Sequence, residues 1–277
     1  MFKDILLKLP STQGKPSLGT VRKALDLARL FEAHVTGCVV EPRVPLPVSF
    51  HPFSTELTHQ IEVRQREAHE AALAEVARFE EEAGRAGVPF EGRIRSAAEG
   101  TDVGEPLVEE ARLRDLTIVP LVKEDKSWAS LVQGLVFDSG RPVLLLPEAG
   151  GETFALERVA IGWDGGRAAT RAIGDALPLL QRAGEVTIVT VNHDKHVPEH
   201  ATGAQLAEHL SRHGVTATVR NVERKGGSVG EAIDAAASGA DLVVMGAFGH
   251  SRLRDFLLGG ATQYMLKNPA RPTLLSH

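Results

Sequence analysis

The sequence predicts an α/β protein made of two copies of one doubly wound domain, each a five-stranded parallel sheet with helices on both faces. Apolar strand-like runs alternate with amphipathic helical stretches, as in parallel sheets joined by helical crossovers. The chain also repeats itself. Gly100-Thr101-Asp102-Val103-Gly104-Glu105 resembles Gly226-Gly227-Ser228-Val229-Gly230-Glu231 at an offset of 126, which also carries Asp115-Leu116-Thr117-Ile118-Val119 onto Asp241-Leu242-Val243-Val244-Met245. Asp4-Ile5-Leu6-Leu7 falls on Arg158-Val159-Ala160-Ile161 at an offset of 154. Gly140-Arg141-Pro142-Val143-Leu144-Leu145 matches Ala270-Arg271-Pro272-Thr273-Leu274-Leu275 at an offset of 130. Landmarks in one order, each at a strand or its edge, argue against chance similarity.

The changing offsets show where the halves differ. Between its first strand and the Gly104 turn the first half has 28 additional residues, and within its fourth-strand loop it has four fewer. The extra length is assigned to roughly Glu41–Ala68. Its four prolines (Pro42, Pro45, Pro47 and Pro52) predict an extended loop. Ser54 or Thr55 is placed to cap a helix running to about Gly84, with Leu57, Ile61, Val76 and Phe79 on its apolar face. The excursion reads first as surface decoration, with a lid or partner-binding role as the alternative. Glu148-Ala149-Gly150-Gly151-Glu152 is a glycine-containing linker, giving domains 1–149 and 154–277.

In the second half, Val159–Trp163 is an apolar strand, Arg167–Arg182 a helix, and Glu185–Val191 a strand rich in β-branched residues. Gln205–His213 is helical, Thr216–Val222 a strand, Val229–Ser238 a helix, and Leu242–Met245 a strand. Ala261–Lys267 is a helix and Thr273–Leu275 the last strand. The closing strands Pro142–Leu146 and Pro272–Leu275 are candidate edges, whose unpaired backbone groups favour pairing.

With 277 residues and 43% hydrophobic content, the chain has enough apolar surface for one large core or two modest ones. A net charge of −5 gives no electrostatic footprint for nucleic acid or an anionic membrane. No apolar run approaches the roughly 18–20 residues that span a bilayer. Met1-Phe2-Lys3-Asp4-Ile5-Leu6-Leu7 has an acid within its short apolar stretch and reads as a strand, not a signal peptide. The single cysteine, Cys38, excludes an intramolecular disulfide and fits a reducing compartment. A soluble, cytoplasmic protein is expected.

The chemistry-bearing feature is a glycine loop. Leu242-Val243-Val244-Met245 opens into Gly246-Ala247-Phe248-Gly249, and after nine residues Gly259-Gly260 leads into a helix. Such glycines let backbone N–H groups approach an anion, and a helix N-terminus adds a favourable dipole. Asp164 and Gly165-Gly166 follow the first strand, and Val191 ends the second. Gly246-x2-Gly249-x9-Gly259-Gly260, the leading Asp164 and the closing Arg-Pro strand together resemble the universal stress protein family. The resemblance covers both halves, as in a tandem member. It implies two Rossmann-like (adenine nucleotide hydrolase-like) domains in an intramolecular pseudo-dimer, or a homodimer of such tandem chains.

The resemblance also implies an adenine nucleotide: ATP, with ADP and AMP as alternatives and Mg2+ as an admissible companion. By position, Asp164 and Val191 would flank adenine and ribose, and Gly246 and Gly249 would admit ribose and phosphates. Gly259, Gly260, Ala261 and Thr262 would sit under the phosphate tail. His250, Arg252 and Arg254 would add positive charge there, unless they are solvent-facing. Gly260 departs from the family's G-x2-G-x9-G-(S/T), removing a hydroxyl worth roughly 0.5–1.5 kcal/mol, for which Thr262 is the nearest substitute. The bland alternative stays open: Gly246 ends a strand, Gly259 caps a helix, and Asp164 caps the helix after it.

The first half lacks this constellation. Pro10 stands in place of Asp164, Pro120 of Gly246 and Lys123 of Gly249. A proline there removes a backbone donor, so at most one nucleotide per chain is expected. No Ser-His-Asp order, G-x-S-x-G elbow, P-loop or paired carboxylates favours catalysis, although weak ATP hydrolysis is compatible with held phosphates. His193, His196, His200, His209 and His213 read as a solvated polar segment rather than a zinc site, with no cysteine or clear acid beside them. Two functions contend: a nucleotide-responsive regulatory or protective stress protein, and a nucleotide-free interaction or scaffold module.

Overall fold

The structure is a computed structural model that describes residues 1–10, 17–43, 54–98, 104–121, 128–149, 153–192, 201–224, 226–247 and 260–277. The first half contains β1 (Asp4–Leu9), α1 (Leu18–Phe31), β2 (His34–Arg43), α2 (Ser54–Ala86), β3 (Phe90–Ala98), α3 (Glu105–Ala111), β4 (Leu116–Leu121), α4 (Trp128–Asp138) and β5 (Val143–Pro147). The second contains β6 (Arg158–Gly162), α5 (Arg167–Leu180), β7 (Glu185–Asn192), α6 (Gly203–Ser211), β8 (Ala217–Glu223), α7 (Val229–Ala236), β9 (Leu242–Gly246), α8 (Gly260–Lys267) and β10 (Thr273–Ser276). The predicted elements of the second half are all present, with ends shifted by one or two residues.

All ten strands belong to one sheet, in the order β3-β2-β1-β4-β5-β10-β9-β6-β7-β8. Each half is the expected five-stranded parallel sheet with the same internal order. The two join through antiparallel pairing of β5 with β10, so the candidate edges predicted from the sequence pair with each other. Leu144 lies opposite Leu274, with Leu145 and Val143 opposite Thr273 and Leu275. Leu144 and Leu274 are also equivalent under the 130-residue offset. A pseudo-two-fold axis therefore passes through that pair, an isologous contact made within one chain.

Side-chain alternation along β5 directs Leu144 and Leu146 to one face, and Val143 and Leu145 to the other. On the first face lie α1, α2, α5 and α6, contributing Leu27, Phe79, Ala172 and Leu210 to a core continuous across both halves. On the second lie α3, α4, α7 and α8, through Leu107, Leu135, Ile233 and Met265. The repeated aspartates have a structural role. Asp115 accepts from the backbone N–H of Lys3 at 2.7 Å and of Asp4 at 3.1 Å, and Asp241 accepts from Arg158 N–H at 2.8 Å. Each therefore secures the start of its half's first strand.

The additional length of the first half is carried largely by α2, whose 33 residues contrast with 9 in α6. Ser54 opens that helix. The loop expected from Glu41 starts later than predicted. Glu41, Pro42 and Arg43 continue β2, paired with Ser96, Ala97 and Ala98 of β3, because the parallel ladder holds them in extended backbone. The rest of that expectation, 44–53, lies outside the described residues. Among the described residues, no helix is long and apolar enough to cross a membrane.

The shared core predicts that the halves unfold together. Trp128 and Trp163, the only two tryptophans, lie one in each half. Single-tryptophan variants should show coincident urea transitions. Leu274→Ala should shift both by a loss of about 2–5 kcal/mol, the range for a buried leucine. Separate transitions would contradict one cooperative unit.

Candidate functional site

In the second half the strand order reverses between β6 and β9, the topological switch point at which open α/β sheets bind ligands beyond their carboxyl ends. Gly162 pairs with Met245, so Asp164 leaves β6 next to the exit of β9. An Asp164 carboxylate oxygen accepts from Gly166 N–H at 2.9 Å, a side-chain turn that shapes the approach to α5. Gly165 takes a φ of +69°, a left-handed conformation that glycine adopts without strain. Gly166, not Asp164, is the N-cap residue of α5.

Gly246 has a packing reason to be glycine. A Cβ there would lie 2.3 Å from Ala169 N and 2.5 Å from the carbonyl carbon of Ala168, inside the first turn of α5. The space above its Cα is filled by α5. Gly260 is the opposite case: exposed at the first position of α8, with none of the described residues within 4 Å of an added Cβ. Ala261 is seated on α7, since a Cβ on Gly230 would come within 2.8 Å of its carbonyl oxygen. Thr262 is only 3% exposed, so it is poorly placed to replace the missing hydroxyl.

Val191 is half-buried near the end of β7, beside Asn192, whose Nδ2 donates to Glu223 at 2.7 Å. The strand order thus places Asp164, Val191 and Gly246 at the carboxyl ends of the adjacent strands β6, β7 and β9. Gly249, His250 and Gly259 lie outside the described residues, as do Arg252, Arg254, His193, His196 and His200. His209 and His213 meet edge to face at 4.8 Å, and no cluster of three metal-ligating side chains occurs among the described residues. A groove of about 460 Å³ between β8 and α7, lined by Arg220, Glu223, Ser228 and Glu231, contains none of the predicted site residues.

Sequence reasoning missed Arg167 and His277. Arg167 opens α5, and its Nη2 lies 3.3 Å from Nε2 of His277, whose Nδ1 is 2.9 Å from the Ala247 carbonyl oxygen. The pairing of His277 with Pro147 under the repeat was the available signal, but nothing local marks such a contact.

The first half's switch point, between β1 and β4, presents different residues. Pro10 and Pro120 are both buried there. Lys23 of α1 is also buried and donates from Nζ to the carbonyls of Pro147 and Ala149, at 3.2 and 2.9 Å. Burial lowers the pKa of that ammonium, against the opposing pull of Glu148. Cys38 is fully buried in β2. Burial, reinforced by the Glu110 carboxylate, raises its thiol from an ordinary value near 9.0 to about 12. Such a protonated, inaccessible thiol is no nucleophile.

Residues 155–277, a little under half the chain, match the model of the Universal stress protein family. A universal stress protein from Archaeoglobus fulgidus DSM 4304 superposes with a TM-score of 0.69 at 17% identity, covering 98% of this chain and 97% of its own. A protein from Pseudomonas aeruginosa UCBPP-PA14, provisionally assigned to the same family, superposes with a TM-score of 0.61 at 12% identity, covering 99% and 93%. These likenesses establish a shared fold over nearly the whole chain. No curated protein sequence matches the chain significantly. The second half is thus a universal stress protein domain, and the first half repeats its fold.

Cys38 should resist thiol reagents in the native protein and react only on unfolding. Between about pH 9 and 12 an unfolded chain releases this proton while the folded one keeps it, so stability should fall as pH rises through that window. Denaturant midpoints of wild type and Cys38→Ala, compared across the window, should differ in this slope.

Proposed function

We propose that the chain binds one adenine nucleotide, ATP, in its second half and acts as a nucleotide-responsive regulatory or protective protein. The observation that carries this reading is the placement of Asp164 and Gly246 at the adjoining carboxyl ends of β6 and β9, the switch point of the second half. In this reading Asp164 and Val191 hold the base and ribose. The N–H groups at the start of α8, around Gly260, Ala261 and Thr262, face the phosphates with a favourable dipole. Gly249, His250 and Gly259 complete the site by motif. Mg2+ would be held mainly by the phosphates and water, as is usual for this ion. Pro10 and Pro120 limit the stoichiometry to one.

Binding rather than turnover is the proposed role, with slow ATP hydrolysis as a side reaction at most. The second reading, a nucleotide-free interaction module, draws on one observation: α5 packing alone accounts for Gly246. Titration calorimetry separates the two. Wild type should bind ATP with a stoichiometry of one, and Gly249→Lys should abolish binding with the thermal transition unchanged. Gly260→Ser restores the motif's hydroxyl at a position where none of the described residues obstructs a side chain, and should tighten binding about three- to tenfold. No heat with millimolar ATP would favour the nucleotide-free module.

A further inference from the structure

His277 follows β10 and makes three contacts. Its Nδ1 lies 2.9 Å from the Ala247 carbonyl oxygen, and its Nε2 lies 3.3 Å from Nη2 of Arg167. Its ring meets Phe137 edge to face, with centroids 4.7 Å apart and planes at 66°. A guanidinium has only donors, so Nε2 accepts and Nδ1–H donates to the carbonyl. Ala247 is the root of the glycine loop, and Arg167 begins α5, whose first turn closes on Gly246. One imidazole therefore ties together both walls of the switch-point cleft.

Phe137 belongs to α4 of the first half, so the imidazole is supported from across the pseudo-two-fold axis. A neighbouring tie crosses the same boundary. Ser276 Oγ donates to Asp175 at 2.6 Å, Arg171 pairs with Asp175 at 2.9 Å, and Arg171 donates to the Gly140 carbonyl at 3.4 Å. Under the repeat, Pro147 takes the place of His277 and Lys267 that of Phe137. A proline has no ring acceptor or donor, so the first half's cleft cannot have the mirrored arrangement.

We propose that His277 is a positioning residue for nucleotide binding, holding the root of the glycine loop against the start of α5, and that the first half acts on the cleft through Phe137. This rests on the nucleotide site proposed above. The test is ATP titration of the full chain as wild type, His277→Ala, His277→Asn, Phe137→Ala and the double alanine variant. His277→Ala should raise Kd about three- to tenfold, the scale of a lost hydrogen bond. Phe137→Ala should shift Kd in the same direction. The double variant should be no weaker than His277→Ala, because the phenylalanine acts through the imidazole. His277→Asn, whose Nδ2 imitates Nδ1–H toward Ala247, should recover part of the loss, which a merely space-filling role would not give. Wild-type binding with unchanged affinity in both alanine variants overturns the proposal, as does His277→Asn no better than His277→Ala. A wild type that binds no ATP overturns the nucleotide reading itself, a distinct result.

Discussion

The antiparallel pairing of β5 with β10 is the contact on which the rest of the molecule depends. A five-stranded parallel sheet ending in an apolar strand leaves a row of unpaired backbone groups, favourable for association and a liability if exposed. Two such edges in one chain satisfy each other. Because they are repeats, their antiparallel pairing is self-complementary, and the register adopted places the equivalent residues Leu144 and Leu274 opposite each other. The consequence is a sheet with its outer edges at β3 and β8 and an apolar core spanning both halves on one face. Alone, each half would leave its closing strand, β5 or β10, as an unpaired edge.

That symmetry holds in the strands and fails at their carboxyl ends. Along the sheet, Asp115 and Asp241 do the same work at equivalent positions. Beyond the strands, Pro10 and Pro120 oppose Asp164 and Gly246, and Pro147 opposes His277. Proline restricts φ and removes a donor while leaving the preceding strand intact. Substitutions at the strand ends can therefore change which backbone donors they offer without disturbing the fold. The first half supplies an edge, half a core and the Phe137 contact, and the second carries the cleft.

Much of the fold was legible because its signals are local. Apolar strands bounded by Gly, Pro and Asp identify themselves, and the repeat places those of one half onto the other. The joining of β5 to β10 was visible only as two apolar terminal strands needing partners. Their register is a tertiary property without a local signature. The long helix of the first half was legible from Ser54 onward, and α2 carries most of the extra length. The start of the proline-rich loop before it was misplaced, because Glu41, Pro42 and Arg43 continue β2 in register with β3. Asp164 and the glycines were legible as a motif. The Arg167–His277–Ala247 arrangement was not, since it joins residues brought together only when β10 docks beside β9.

Gly246 and Gly260 show how structural and ligand demands separate within one motif. At Gly246 the backbone of α5 occupies the position of a Cβ, so the residue would be glycine in a protein that binds nothing. Its presence therefore carries little weight for a ligand. At Gly260 none of the described residues forbids a side chain, so packing among them does not account for it. A nucleotide does not account for it either, since the motif has a hydroxyl-bearing residue there and glycine only removes a donor to the phosphates. What Gly260 leaves to an anion are the backbone N–H groups at the start of α8, which a serine would offer equally. The physical case for a nucleotide thus rests on neither glycine alone, but on Asp164 at the switch point and on the spacing of the motif as a whole.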